Sequence, residues 1–223
     1  MTNRKEIKTK VVNSIFFIAV DLGQINDYTA ITVIERVINW KHGNFGPLGI
    51  RSYEEISKEL HLRHIERPER GTTYPAIVSR IKDLCDSPQL KKAEKAVVID
   101  ITGVGRPVWD MLNKTGFHFK INGISITGGS QVTEDHDIFN VPKRDLVTAL
   151  QLAFQNGDLK MARDLPNSDV LVKELTNFKV KINLNGHDQY EAWREGVHDD
   201  LVLSAAMGVW LASQRNFRRY WDE

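Results

Sequence analysis

The chain has 223 residues, 41% hydrophobic and 26% charged, an ordinary globular balance that excludes disordered and fibrous classes. Its net charge of +1 supplies no global positive field, so any contact with nucleic acid has to come from local patches. The single cysteine, Cys85, excludes an internal disulfide framework and fits a reducing compartment. The first residues imitate a signal peptide. Their apolar run IFFIAV is too short, however, and it ends on Asp21 where a cleavage site needs small residues. No run approaches the roughly 18 apolar residues of a membrane span. The sequence therefore reads as a soluble intracellular chain with no membrane partner.

In chain order, SIFFIAVD predicts a strand buried on both faces and YTAITVIERV the next one, with LGQIND turning between them. A third strand is expected within GIRSYEEISKEL, after a turn around HGNFGP, which makes an antiparallel meander. YPAIVSRIKDLCD places Ile77, Val78, Ile81, Leu84 and Cys85 at helical spacing. KAVVID is short and β-branched, as parallel strands buried on both faces are. RPVWDMLNKTG reads as a helix closed by Gly116, and HFKINGISIT as a strand. VPKRDLVTALQLAFQNG predicts a helix with Pro142 near its first turn and Gly157 past its end. NSDVLVKELTNF is a further helix, and KVKINLNGHDQYEAW reads as a hairpin around Asn185 and Gly186. HDDLVLSAAMGVWLASQ closes the fold as a helix, and 214–223 reads as a mobile tail. Without repeats or low-complexity linkers, one α/β domain over 1–223 is expected, its core at about 14–213. Its architecture is a mixed sheet, meander plus parallel strands, flanked by helices.

Three acidic stations stand out. Asp21 and Asp100 each end an apolar strand, and Asp199 with Asp200 opens a nearly all-apolar helix. A lone strand-end aspartate usually caps a turn, and Asp199 alone reads as a helix N-cap. Two strand ends and one helix start can nevertheless converge outside the carboxyl edge of an α/β sheet. Clustered carboxylates repel one another, and a divalent cation relieves that repulsion. Oxygen ligands without His–Cys spacing point to Mg²⁺ or Mn²⁺ rather than zinc. A pair of such ions suits phosphodiester hydrolysis. Spacing does not choose between Asp199 and Asp200.

The segments FIAVDLGQINDYTAITVIE, AVVIDITGVGRPVWDML, NGDLKM with LVKELTNF, and GVHDDLVLSAAMGVWLA together resemble the nuclease domain of bacteriophage terminase large subunits. The likeness runs from about residue 15 to residue 213. It implies a ribonuclease H-like fold and metal-dependent cutting of concatemeric double-stranded DNA during genome packaging. It also implies that Asp21, Asp100 and Asp200 form the catalytic metal-binding triad, with Asp199 as a possible extra ligand. Expected partners are a packaging ATPase domain or subunit, the small terminase and the portal, in the cytoplasm of an infected bacterial host. No G-x-x-x-x-G-K-[ST] phosphate loop occurs in the sequence. The chain is therefore expected to be an excised nuclease domain, or a separately encoded nuclease working with an ATPase elsewhere.

Arg63, Arg67 and Arg70 crowd into HLRHIERPERG, and Lys143 and Arg144 open a helix against its dipole. Arg63, Arg67, Lys143 and Arg144 are candidate phosphate contacts, which add affinity without reading sequence. For the first group a solvated face interrupted by Glu66 and Glu69 is an equal reading. His198 could ligate metal or move a proton, although a structural loop histidine is the plainer reading. Two other function classes share this core: an actin-like or sugar-kinase-like ATPase, and a catalytically silent module that grips DNA or the portal. The ATPase needs a second phosphate-binding Asp-Gly motif, and none is convincing here. A junction resolvase or transposase-like nuclease is the nearest enzymatic neighbour.

Overall fold

Side chains alternate across a strand, so the apolar run before Asp21 can fill two cores only if both faces of its sheet are covered. In the computed structural model, which describes residues 10–23, 27–45, 51–185 and 199–214, both faces are covered. The run ends strand β1 (Lys10–Asp21), followed by β2 (Ala30–Phe45) and β3 (Arg51–Glu66) in an antiparallel meander. Helix α1 (Tyr74–Cys85) leads to β4 (Glu94–Asp100), which pairs with β1 in parallel. Helix α2 (Gly105–Asn113), β5 (Ile121–Thr127), β6 (Thr133–Asp135) and β7 (Ile138–Pro142) follow. The order closes with α3 (Lys143–Gln155), β8 (Leu159–Met161), α4 (Ser168–Asn185) and α5 (Asp200–Ser213).

All eight strands join one mixed sheet in the order β6-β7-β5-β4-β1-β2-β3-β8. Ile18 and Val20 of β1, with Val97 and Ile99 of β4, pack against Ile77 and Ile81 of α1 and Val108 and Leu112 of α2. Ile15, Phe17 and Ala19, with Ala96 and Val98, face the other way. They meet α3, α4 and α5 through Leu146, Leu150, Leu171, Val202 and Met207. The expected meander, parallel strands and flanking helices are therefore all present. Cys85 is buried in the first of these cores, where burial pushes its thiol up to about 12 and leaves it inert.

Two expectations need correction. Residues 179–185, read as the first arm of a hairpin, are the last turns of α4. Strand propensity is a weak prior, and extending a helix that already exists costs little. The other arm, from Gly186 onward to 198, lies outside the described residues. Strands β6, β7 and β8 were not anticipated from the sequence; the first two make a tight hairpin with His136 at φ 56°. Of the expected tail, Gln214 is described and caps α5, its N–H donating to the Leu211 carbonyl at 3.1 Å. The remainder of that tail lies outside the described residues.

Candidate active site

β1 and β3 both run antiparallel to β2, and β4, β5 and β7 continue in parallel from β1. With β8 parallel to β3, six strands present their carboxyl ends along one sheet edge, where α/β proteins gather their sites. Asp21 ends β1 and Asp100 ends β4, and the pairing of Val20 with Ile99 brings the two level on adjacent strands. Such strands run about 4.8 Å apart. Alternation fixes their direction. Asp21 continues the series Ile15, Phe17, Ala19, and Asp100 continues Ala96, Val98, so both point to the face that α5 covers.

Helix α5 is held flush against that face. Ser204 donates to the Ala19 carbonyl at 2.9 Å and shares a 2.9 Å hydrogen bond with Thr32. At Gly208 a Cβ would come within 2.9 Å of Ile34 Cγ1, so no side chain fits between helix and sheet. Gly105 does the same for α2, since a Cβ there would lie 1.7 Å from the Asp100 carbonyl oxygen. The second glycine of ITGVG is thus required by the close return of the chain onto the strand end that carries Asp100.

The N-terminus of α5 brings Asp199 and Asp200 to the same edge. Burial first, and then the negative charges of Asp100, Asp200 and Asp199, hold the Asp21 carboxyl well above the usual range, with Lys143 opposing them. Asp21 is 8% exposed, and its carboxylate makes no hydrogen bond among the described residues. Burial also raises Asp100, against the hydrogen bonds from Thr102 and the charge of Lys143. The Thr102 N–H donates to Asp100 Oδ1 at 2.7 Å, so a turn-capping bond does form there. Asp200 is pushed up to about 7, chiefly by burial; Arg67 opposes the shift, while Glu174, Asp199 and Asp27 add to it.

The N-cap position of α5 is Asp199, but its side chain makes no capping bond. Its Oδ2 instead accepts from Lys143 Nζ at 3.2 Å. Capping is performed by Glu174 of α4, whose Oε2 accepts from the N–H groups of Leu201 at 3.0 Å and Val202 at 3.3 Å. Glu174 also pairs with Arg67, whose Nη2 reaches Asp200 Oδ2 at 3.2 Å. Glu174 is the residue that sequence reasoning missed. Its signal was a charge on the apolar stripe of α4, one turn beyond the fully buried Leu171.

The oxygen-only donor set and the buried Asp21, whose charge Lys143 offsets only in part, suit a hard divalent cation. Among the described residues no three His, Cys, Asp or Glu converge as a ready ligand cage. Arg67 engages Asp200, Lys143 engages Asp199, and the Thr102 N–H engages Asp100.

The candidate basic residues separate. Lys143 sits inside the cluster. Arg144 is half exposed beside it, donating to the Ser130 carbonyl at 3.1 Å. Both line a cavity of about 280 Å³ with Thr127, Gly128, Gly129, Ser130 and Pro142. Arg67 is turned inward, its guanidinium 4.4 Å from the Tyr28 ring centre. Arg63 lies back along β3, where it pairs with Glu35 at 2.6 Å and with His61. His198 lies outside the described residues.

Among solved structures, the human cytomegalovirus terminase nuclease domain is 12% identical, with 94% of this chain and 86% of that chain covered and a TM-score of 0.48. Thermus thermophilus RuvC is 11% identical, with 87% and 91% covered and a TM-score of 0.32. No curated protein matches. The family described as the terminase RNaseH-like domain matches residues 18–209, a span that contains every carboxylate of the cluster. The chain belongs to the terminase RNaseH-like domain family.

Proposed function

We propose that the chain is a metal-dependent DNA endonuclease of the terminase type, cutting concatemeric double-stranded DNA during genome packaging with little sequence preference. The observation behind this reading is Asp21, a buried strand-end carboxylate with no hydrogen bond among the described residues, set among Asp100, Asp199 and Asp200. Lys143 offsets only part of the charge gathered there, and a divalent cation would relieve the rest. Asp21, Asp100 and Asp200 would hold two Mg²⁺ or Mn²⁺ ions, with Asp199 as a further ligand. Such ions, when bound, supply an activated water and stabilise the leaving oxygen of a phosphodiester.

The remaining tasks fall to the chain itself. Central strands β1 and β4 hold two of the carboxylates on a rigid support, which favours precise ligand placement. The Lys143 ammonium keeps a positive charge at the edge a phosphate would approach, and Arg144 extends it toward solvent. These contacts grip backbone, not bases, which accounts for weak sequence preference. Arg63 and Arg67 contribute less to DNA in this reading, because Glu35 and Asp200 already engage them. Family membership supports the nuclease over the actin-like ATPase. We further propose that residues 1–223 act as one nuclease domain in the cytoplasm of an infected host. There it would work beside a packaging ATPase, the small terminase and the portal.

The test is nicking of supercoiled plasmid. Conversion to open-circular and linear DNA is expected with Mn²⁺ or Mg²⁺ and is expected to stop with EDTA. Intact plasmid after incubation of folded protein with either ion would sink the proposal.

A further inference from the structure

The N-terminus of a helix leaves its first N–H groups without intrahelical partners, and the N-cap side chain normally receives one of them. In α5 that task has moved to another helix. Glu174, 6% exposed, accepts from the Leu201 and Val202 N–H groups with one oxygen and from Arg67 with the other. Arg67 passes the contact on to Asp200 Oδ2 at 3.2 Å. Its Nε is buried without a hydrogen-bond partner among the described residues, so its place is not set by full pairing of the guanidinium. The Tyr28 ring covers it instead.

We infer that Glu174 and Arg67 are positioning residues for Asp200. Glu174 fixes the backbone just after Asp200 and, through Arg67, fixes its carboxylate. By capping α5 itself, it also releases the Asp199 carboxylate to face Lys143. This inference rests on the reading of Asp200 as a metal ligand. It assigns Arg67 to a carboxylate rather than to a DNA phosphate. Supports of this kind around metal ligands typically govern affinity by about ten- to a hundredfold.

The test uses Mn²⁺ alone as the probe, titrated calorimetrically into wild type, Glu174→Gln, Asp200→Asn and the double variant, with thermal melts alongside. Gln keeps an oxygen for the two N–H groups and loses the charge that holds Arg67. We expect a folded Glu174→Gln protein with Mn²⁺ binding weakened about tenfold or more. We also expect no further weakening when the change is added to Asp200→Asn, because both act on one ligand. Arg67→Lys tests the link from its other end and should weaken binding likewise, since an ammonium lacks the planar fork that reaches both carboxylates. Unchanged affinity in both folded variants overturns the positioning role, as do losses that multiply in the double variant. A wild type that binds no Mn²⁺ overturns the metal reading itself, and this inference with it.

Discussion

Two charged clusters among the described residues differ in balance. On the β2–β3 surface, Glu35, Glu59 and Glu66 meet Arg63, Lys160 and Arg80, with His61 and His64 between them. Hydrogen bonds there hold Glu59 and Glu66 below the usual carboxylate range, the first through Lys160 and the second through His64. At the carboxyl edge, Asp21, Asp100, Asp199, Asp200 and Glu174 meet Arg67 and Lys143, and burial raises Asp21, Asp100, Asp200 and Glu174. Matched charges near solvent make a stable surface. At the buried edge the carboxylates outnumber the positive groups that meet them.

The largest effect that could break this contrast comes from the edge. Asp21→Asn or Asp100→Asn should abolish metal-dependent nicking yet leave the metal-free fold equally or more stable, by up to about 1 kcal/mol. For a chain of this size that is a rise of roughly 2–4 °C in Tm. A fall in Tm would mean that the carboxylate serves the fold. Asn at 100 can still accept the Thr102 N–H, so that bond does not confuse the result.

Acidity should separate the clusters next. Asp200 titrates near 7 when folded and near 3.8 when unfolded, so between those values the native state holds the extra proton. Stability of the metal-free protein is then lost as pH rises through that window and is recovered on acidification, by on the order of 1–3 kcal/mol. Glu59 and Glu66 act with the opposite sign, but only as pH falls below the ordinary glutamate range. Melts in EDTA should therefore show Tm rising from pH 8 to pH 6. Saturating Mn²⁺ should remove the trend, and a flat profile in EDTA would contradict the unmatched cluster.

Lys143→Ala comes third. Lys143 stands against its helix dipole, yet its contact with Asp199 and its field at Asp21 and Asp100 give it a stabilising task in the metal-free protein. We expect a loss of about 1 kcal/mol in EDTA, slower nicking, and a salt dependence of DNA binding reduced by about one phosphate contact. An unchanged melt together with an unchanged salt slope would return Lys143 to the solvated surface. Arg63→Ala should do least. Its pair with Glu35 leaves the arginine side chain 52% exposed, and such pairs contribute below about 1 kcal/mol. Nicking reduced as strongly as by Lys143→Ala would show that the balanced surface also serves DNA.

What could be read from the sequence follows from how local each signal is. Asp21 and Asp100 were visible because an apolar run stops on each, and α5 because thirteen of its residues are buried and its sequence is apolar to match. The three-residue strands β6 and β8 are too short to show a period. The end of α4 carries the β-branched pattern of a strand and stays helical. Glu174 depends on Arg67, 107 residues earlier, and on N–H groups 27 and 28 residues later. No window along the chain contains that arrangement. Which aspartate of the pair faces which cation was likewise decided by Lys143 at the start of α3 and by Arg67 just past the end of β3, not by anything adjacent to Asp199.

The seating of α5 against β1 and β2 has a consequence for biosynthesis. The meander can form early from neighbouring residues, but β1 gains β4 only after more than seventy intervening residues, and Asp21 meets Asp200 only when α5 docks. Long-range closures of this kind come late in folding, after loop-closure entropy has been overcome. A ribosome-bound chain that stops short of residue 200 therefore contains half a cluster and no α5 to cover it. The acidic edge is therefore complete only once the last helix has been made and has docked.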